Sequence, residues 1–142
     1  LGIYPGPKFG KLQNGHAVET DEGDLIKPEE VLSDPKPGRK IVYTGDTRPS
    51  SDLVDAASNA SLLIYSAMFG EKHSERALST GHSTATEAAQ VAAKSGSETL
   101  WLTHISPRYE DNEQALESEA REEFRGDVVA VRDGDSTEIT QN

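Results

Sequence analysis

The sequence predicts an α/β fold in which a sheet carries packed helices. Three observations carry that prediction. Short apolar runs recur at residues 40–44, 61–66 and 99–103, as strands buried in a sheet do. Helix-start and helix-stop residues sit between those runs. The alternation of the two patterns from about residue 38 onward requires helices laid against a sheet.

Residues 1–37 read as a loop-rich segment with short strands, and residues 38–142 as the alternating core. In the first, Pro5-Gly6-Pro7 and Gly10 describe an ordered loop. Two short strands near His16-Ala17-Val18-Glu19 and Asp24-Leu25-Ile26 are joined by an Asp21-Glu22-Gly23 turn. In the second, residues 40–44 form a buried strand ended by Gly45-Asp46. Ser50 or Ser51 caps a short helix whose Leu53, Val54 and Ala57 share a face. Residues 61–66 are the next strand. Thr84 and Glu87 make a capping box for a helix with Ala88, Ala89, Ala92 and Ala93 on its small face, closed by Gly96. Residues 99–103 are a third strand. Asp111 with Gln114 opens another helix, with Leu116, Ala120 and Phe124 four apart and Gly126 at its end. Short strands follow near residues 128–131 and 137–139.

Composition narrows the function. There are 14 Lys and Arg against 25 Asp and Glu, a net charge of −11. Such a balance lacks the basic face that nucleic-acid binding usually needs, although local positive charge can survive within it. The acidic residues make either an ordinary, highly solvated surface or, as their spread along the chain favours, an adaptation to a salt-rich cytoplasm where the Debye length falls to about 3 Å at 1 M salt. With no cysteine, any metal must be held by His, Asp or Glu. No apolar run approaches the roughly 20 residues that span a bilayer. The chain begins Leu1-Gly2-Ile3-Tyr4-Pro5, with neither initiator Met nor signal-peptide pattern. The expectation is a cytoplasmic protein cut from something longer.

In strand–helix sheets, functional groups collect beyond the C-terminal strand ends. Asp46 sits there, in a Gly-Asp-Thr turn, where its two oxygens can bridge two cations or bond the turn's own amides. His104 ends the third strand, as a metal ligand or as a backbone-bonded histidine. His82, in Gly81-His82-Ser83-Thr84, suits proton donation to a leaving oxygen. Ser83 and Thr84 can serve a phosphate at the helix N-terminus or simply cap the helix. Arg108 can clamp a phosphate or form a structural ion pair. Lys8 and Lys11 are the locally basic pair of the Pro-Gly-Pro segment. His16 and His73 receive no role.

Taken in order, these segments resemble ribonuclease Z, the tRNA 3′-processing endoribonuclease family of the metallo-β-lactamase superfamily. The resemblance rests on Pro5-Gly6-Pro7, on Pro37-Gly38-Arg39 continuing through Thr44-Gly45-Asp46-Thr47-Arg48-Pro49, on Gly81-His82-Ser83-Thr84, and on Leu102-Thr103-His104-Ile105-Ser106-Pro107-Arg108-Tyr109. It covers almost the whole chain and matches the family's second half. It implies the C-terminal half of an αββα sandwich, with helices on one face of the sheet. It also implies zinc-dependent hydrolysis of 3′-extended tRNA precursors, leaving a 3′-hydroxyl. Asp46 matches a ligand bridging two zinc ions and His104 a further zinc ligand. His82 matches a histidine that assists proton transfer, while Ser83, Thr84, Arg108 and the Pro-Gly-Pro segment match regions that meet RNA. The family works as a homodimer.

Two departures qualify the resemblance. The His-x-His-x-Asp-His motif, which supplies most zinc ligands, is absent, so the chain needs a missing N-terminal half and is expected to be inactive alone. Tyr65-Ser66-Ala67-Met68 stands where the family has His-Glu-Ala-Thr, removing the usual glutamate partner of the His82 position. The alternatives are a catalytically degenerate binding or scaffold module of the same fold, or another metallo-β-lactamase-fold hydrolase.

Overall fold

The computed structural model describes residues 6–33 and 38–140. Pro5 and Pro37, both quoted among the motifs, lie outside them. The chain divides into two compact units, one ending at Gly38 and one beginning at Arg39.

The first unit contains helix α1 (Pro7–Gln13), strands β1 (Val18–Glu19) and β2 (Leu25–Ile26), and the single turn α2 (Pro28–Val31). The ordered loop expected around Lys8 and Lys11 is therefore a helix. Pro7 occupies its first turn, where a missing N–H costs nothing. The hairpin pairs antiparallel, Val18 opposite Ile26 and Glu19 opposite Leu25. Its turn is built on Thr20, whose hydroxyl accepts the amides of Glu22 and Asp24. Leu12, Val18 and Ile26 are the buried core, with Val31 packed on it. At about 1.5–3 kcal/mol per buried side chain, so small a core leaves little surplus over the cost of ordering the backbone.

The second unit is built on four parallel strands in sequential order: β3 (Ile41–Tyr43), β4 (Leu62–Ser66), β5 (Thr99–Thr103) and β6 (Asp127–Ala130). The register places Val42 beside Leu63, Leu63 beside Leu100, and Leu100 beside Val128. This row and its alternate neighbours Tyr65 and Leu102 face the helices. Helices α3 (Ser51–Ala56), α4 (Ser74–Thr80), α5 (Ala85–Ser95) and α6 (Glu113–Glu123) complete the unit. Ala88, Ala89 and Ala92 of α5 and Leu116 and Ala120 of α6 share one buried cluster with Leu63, Tyr65, Leu100, Leu102 and Val128. The alanine-rich face lets α5 approach the sheet closely, as its small residues predict.

The caps explain the helix ends. The Ser50 hydroxyl accepts the Leu53 amide and starts α3. Thr84 and Glu87 form the capping box of α5, and Gly96 closes that helix in the left-handed region. Gly126 permits a close approach: a Cβ there would fall 2.3 Å from the Glu98 carbonyl oxygen.

Five details differ from the sequence expectation. Strand β3 is an edge and is not buried: Ile41 and Tyr43 are 58% and 69% exposed, and only Val42 packs on the core. Ala93 is exposed, while Ala85 and Val91 are buried. Helix α6 is preceded by Asn112 without a side-chain cap, and Asp111 lies outside it with φ of 63°. Residues 137–139 form no strand; they line a cleft with Leu62, Thr99 and Asp127. Helix α4 gave no sequence signal, because Ala77 is its one buried residue and Leu78 points to solvent.

The sheet face opposite the helices carries Ile41, Tyr43, Ile64, Trp101 and Val129. Ile41, Tyr43 and Val129 are exposed, and Ile64 and Trp101 are half-buried. Parallel sheets ordinarily have both faces covered.

Candidate metal centre

Asp46, His82 and His104 all lie in the second unit. Asp46 follows β3 through Gly45, whose φ of 62° lies in the left-handed region and turns the chain sharply at the strand end. His104 follows β5 directly and itself has a φ of 55°. A non-glycine residue there is uncommon and strained, a condition that concentrates at functional sites. His82 precedes α5, in a loop held against the end of β4. The Phe69 amide donates to the Ser83 carbonyl and the Ala85 amide to the Phe69 carbonyl.

The three side chains converge. One ligand atom from each of Asp46, His82 and His104 lies within 4.8 Å of the others. His104 Nε2 is 3.5 Å from Asp46 Oδ2. The rings of His82 and His104 are tilted, with centroids 5.1 Å apart. Among the described residues Asp46 makes no hydrogen bond to its own turn amides. It is more than half exposed and open to a ligand.

The donor set fits a divalent ion of the zinc type: imidazole nitrogen and carboxylate oxygen, no sulfur. A shared ion about 2.0–2.2 Å from each atom needs only a small contraction of the present spacing. Three donors match one open site. They do not complete two.

His82 Nδ1 is buried and has no hydrogen-bond partner, so Nε2 is the nitrogen that can face a ligand or substrate. The hydroxyls of Tyr65 and Ser66 are also buried without partners. Burial pushes the Tyr65 phenol pKa up, opposed by the nearby Ser83 hydroxyl. That hydroxyl itself donates to the Thr47 carbonyl at 2.6 Å.

The other expected contact residues divide. Ser83 and Thr84 are fully buried, and their hydroxyls bond inward, to Thr47, to Glu71 and to the Glu87 amide. In these bonds the two side chains shape the loop. Arg108 is exposed, with its Nε donating to Ser106 and its guanidinium over the Phe69 ring at 5.4 Å. It is free to meet an anion. Lys8 pairs with Asp21 at 2.7 Å, which lowers the Asp21 pKa. Lys11 is exposed in the first unit. The groove beside His104 is lined by Glu110, Glu113 and Asp133, so its wall is acidic.

Two residues escaped the sequence reading. Arg48 donates to Glu87 through both terminal nitrogens and to the His82 carbonyl. His73, given no role, bonds the Tyr109 hydroxyl through Nδ1. A buried partner for Arg48 was hinted at by the capping-box Glu87, but nothing in the sequence spacing linked the two.

Comparison with known proteins decides the lineage. Ribonuclease Z of Natronomonas pharaonis is 46% identical over 139 residues, 98% of this chain and 45% of the relative. The chain is homologous to ribonuclease Z. The Haloarcula marismortui ribonuclease Z is 51% identical over 134 residues, covering 94% and 43% of the two chains. That of Myxococcus xanthus is 47% identical over 139 residues, covering 98% and 45%. The chain thus spans less than half the length of these ribonuclease Z relatives. Among solved structures, the short form of human tRNase Z matches with a TM-score of 0.58 at 26% identity, covering 82% of this chain and 37% of that one. The metallo-β-lactamase-fold protein YhfI of Bacillus subtilis matches with a TM-score of 0.55 at 32% identity, covering 62% and 35%. No protein-family model matches the chain. The parallel sheet with its helices is therefore part of a metallo-β-lactamase fold, as the resemblance implied.

Proposed function

We infer that this chain supplies the Asp46, His82 and His104 side of a tRNA 3′-processing endoribonuclease, as the C-terminal half of a cytoplasmic, homodimeric, zinc-dependent enzyme. One observation carries the reading: the convergence of those three side chains at one rim of the sheet, in a chain homologous to ribonuclease Z.

In this reading Asp46 and His104 hold zinc, and the remaining ligands come from a missing N-terminal half. The zinc, when bound, polarises a phosphodiester oxygen and supplies a nucleophile at neutral pH. Asp46 would hold the metal through its carboxylate. His82 directs Nε2 to the leaving oxygen and delivers a proton there, which is the chemistry that imidazole performs near neutral pH. Arg108 pairs with a backbone phosphate. Lys8 and Lys11 add positive charge for the RNA.

A second reading has its own observation. The Ser66 hydroxyl and His82 Nδ1 are buried and unpartnered, so the orientation of the His82 ring lacks the second hydrogen bond that usually fixes such a group. This favours a degenerate scaffold that keeps the fold without the chemistry. It does not single out a different hydrolase of the same superfamily.

The deciding experiment is cleavage of a 3′-extended tRNA precursor by the chain alone, and by the chain joined to the N-terminal half of a related ribonuclease Z, with zinc. The expected result is no cleavage alone and cleavage after the discriminator nucleotide when the halves are joined. A joined protein that binds zinc and RNA yet leaves the precursor intact would favour the scaffold.

A further inference from the structure

We propose that Arg48 is a positioning residue that sets the distance between Asp46 and His82. Asp46 and His82 come from different strand–helix links, and no bond joins them directly. Their flanks are joined twice. The Ser83 hydroxyl donates to the Thr47 carbonyl at 2.6 Å. The Arg48 guanidinium donates to the His82 carbonyl at 2.6 Å. Residues 47 and 48 are thus bonded to residues 83 and 82.

The anchor of this bracket is Glu87. Its carboxylate accepts both Arg48 terminal nitrogens. It also accepts the Thr84 amide at 2.9 Å, in the capping box that begins α5. One carboxylate therefore fixes the start of the helix and the guanidinium together. Both side chains are largely withdrawn from solvent, 30% exposed for Arg48 and 23% for Glu87, so water screens the pair only partly. The planar guanidinium has enough donors, in a fixed fork, to serve Glu87 and the His82 carbonyl at once. A lysine ammonium is a single point charge on a flexible stem, and it cannot reproduce that fork.

The bracket is separate from catalysis. Arg48 touches the main chain of His82, not its ring, and it touches neither Asp46 nor His104 in the bonds described. It acts on chemistry only by holding the loop. The proposal deepens the reading of the same site given above, but its first test needs neither metal nor RNA.

That test is NMR on the metal-free 142-residue chain. The parent should show a nuclear Overhauser contact between the His82 and His104 rings, whose centroids are 5.1 Å apart. Arg48→Met and Arg48→Lys should each weaken that contact at least about threefold and shift the His82 imidazole signals, while contacts within the sheet between Leu63 and Leu100 persist. Glu87→Gln keeps a capping box, since Gln serves at that position, and should give a smaller change of the same sign. Should Arg48→Met lose its fold, Arg48→Lys and Glu87→Gln carry the same comparison. Unchanged ring contacts and imidazole signals in the folded Arg48 variants would overturn the proposal. A zinc titration of the chain joined to the N-terminal half of a related ribonuclease Z then separates the two readings. If the joined parent binds no zinc, the metal assignment falls and the ring contact still decides the bracket. If it binds, Arg48→Lys should weaken affinity about fivefold or more, and equal affinity would count against the bracket.

Discussion

His73 and Tyr109 share a 2.8 Å hydrogen bond between imidazole Nδ1 and the phenol hydroxyl, which also accepts the Gly70 amide at 2.8 Å. A hydroxyl that donates to Nδ1 in this arrangement favours the neutral ring with its proton on Nε2. Partial burial, then the charges of Arg108, Lys72 and Arg76, hold the His73 pKa below the ordinary imidazole value, and Glu119 opposes them. A lowered folded pKa gives stability that is present above the unfolded value, about 6.5, and is lost as pH falls through the folded value. An NMR titration should therefore place the His73 midpoint below that of free histidine, and Tyr109→Phe should raise it. A parent midpoint above free histidine would contradict the bond as described.

Zinc binding should depend on Asp46 more than on any residue outside the ligand set. Loss of a hydrogen-bonding support typically costs 10–100-fold in metal affinity, so Asp46→Ala in the joined enzyme should cost more than about 100-fold and abolish cleavage. His82→Ala should slow the chemical step by about 10²–10⁴-fold with RNA binding retained. Isothermal titration and single-turnover kinetics check the two. An Asp46→Ala enzyme as active as its parent would remove the metal assignment.

Two substitutions separate cap from core in α5 and β5. Thr84→Ala deletes the N-cap oxygen and should cost about 1 kcal/mol. Leu102→Ala opens space in a fully buried site and should cost about 2–5 kcal/mol. Urea unfolding measures both, and a Leu102→Ala cost below that of Thr84→Ala would mean the site collapses freely.

Salt should help this chain in a specific way. The net charge of −11 repels itself at low ionic strength, and screening relieves that. The melting temperature should rise between low and molar KCl. In the same series, sedimentation should show association through the face of Ile41, Tyr43 and Val129, reduced by Tyr43→Lys. A monomer at every salt concentration would show that this face is too small to drive contact.

The strained backbone at His104 gives a prediction of opposite sign for stability and binding. Asn tolerates the left-handed region better than most residues. His104→Asn should leave thermal stability equal or raise it by up to about 1 kcal/mol, while zinc affinity falls. A clear loss of stability would show that the imidazole, and not the backbone, dominates the local energy.

Much of the second unit was legible because periodicity and caps agree there. Residues 61–66 and 99–103 are apolar in both parities, and Thr84 to Glu87 spells a capping box that forms. The rim positions Asp46, His82 and His104 were legible because they end strands or precede a helix, and they converge. Legibility failed where tertiary context rules. Residues 41 and 43 are apolar yet exposed, because sequence cannot tell a covered face from a bare one. Helix α1 was hidden by Pro7 and Gly10, which read as loop residues; Pro7 sits in the first turn, where a helix accepts it, and Gly10 is carried in the helix interior. Arg48 was invisible as a bracket because its partners lie 34 and 39 residues away.

The three converging side chains lie on three successive links of one parallel sheet, each reached only after a full strand and helix. A cation held between Asp46 and His104 would close the long loop of polypeptide that joins them. Loop closure removes freedom chiefly from the denatured chain, so such an ion would act as a removable cross-link. Chelation should then loosen the rim that carries the histidines first, while the Leu63–Leu100–Val128 layer stays shut to exchange.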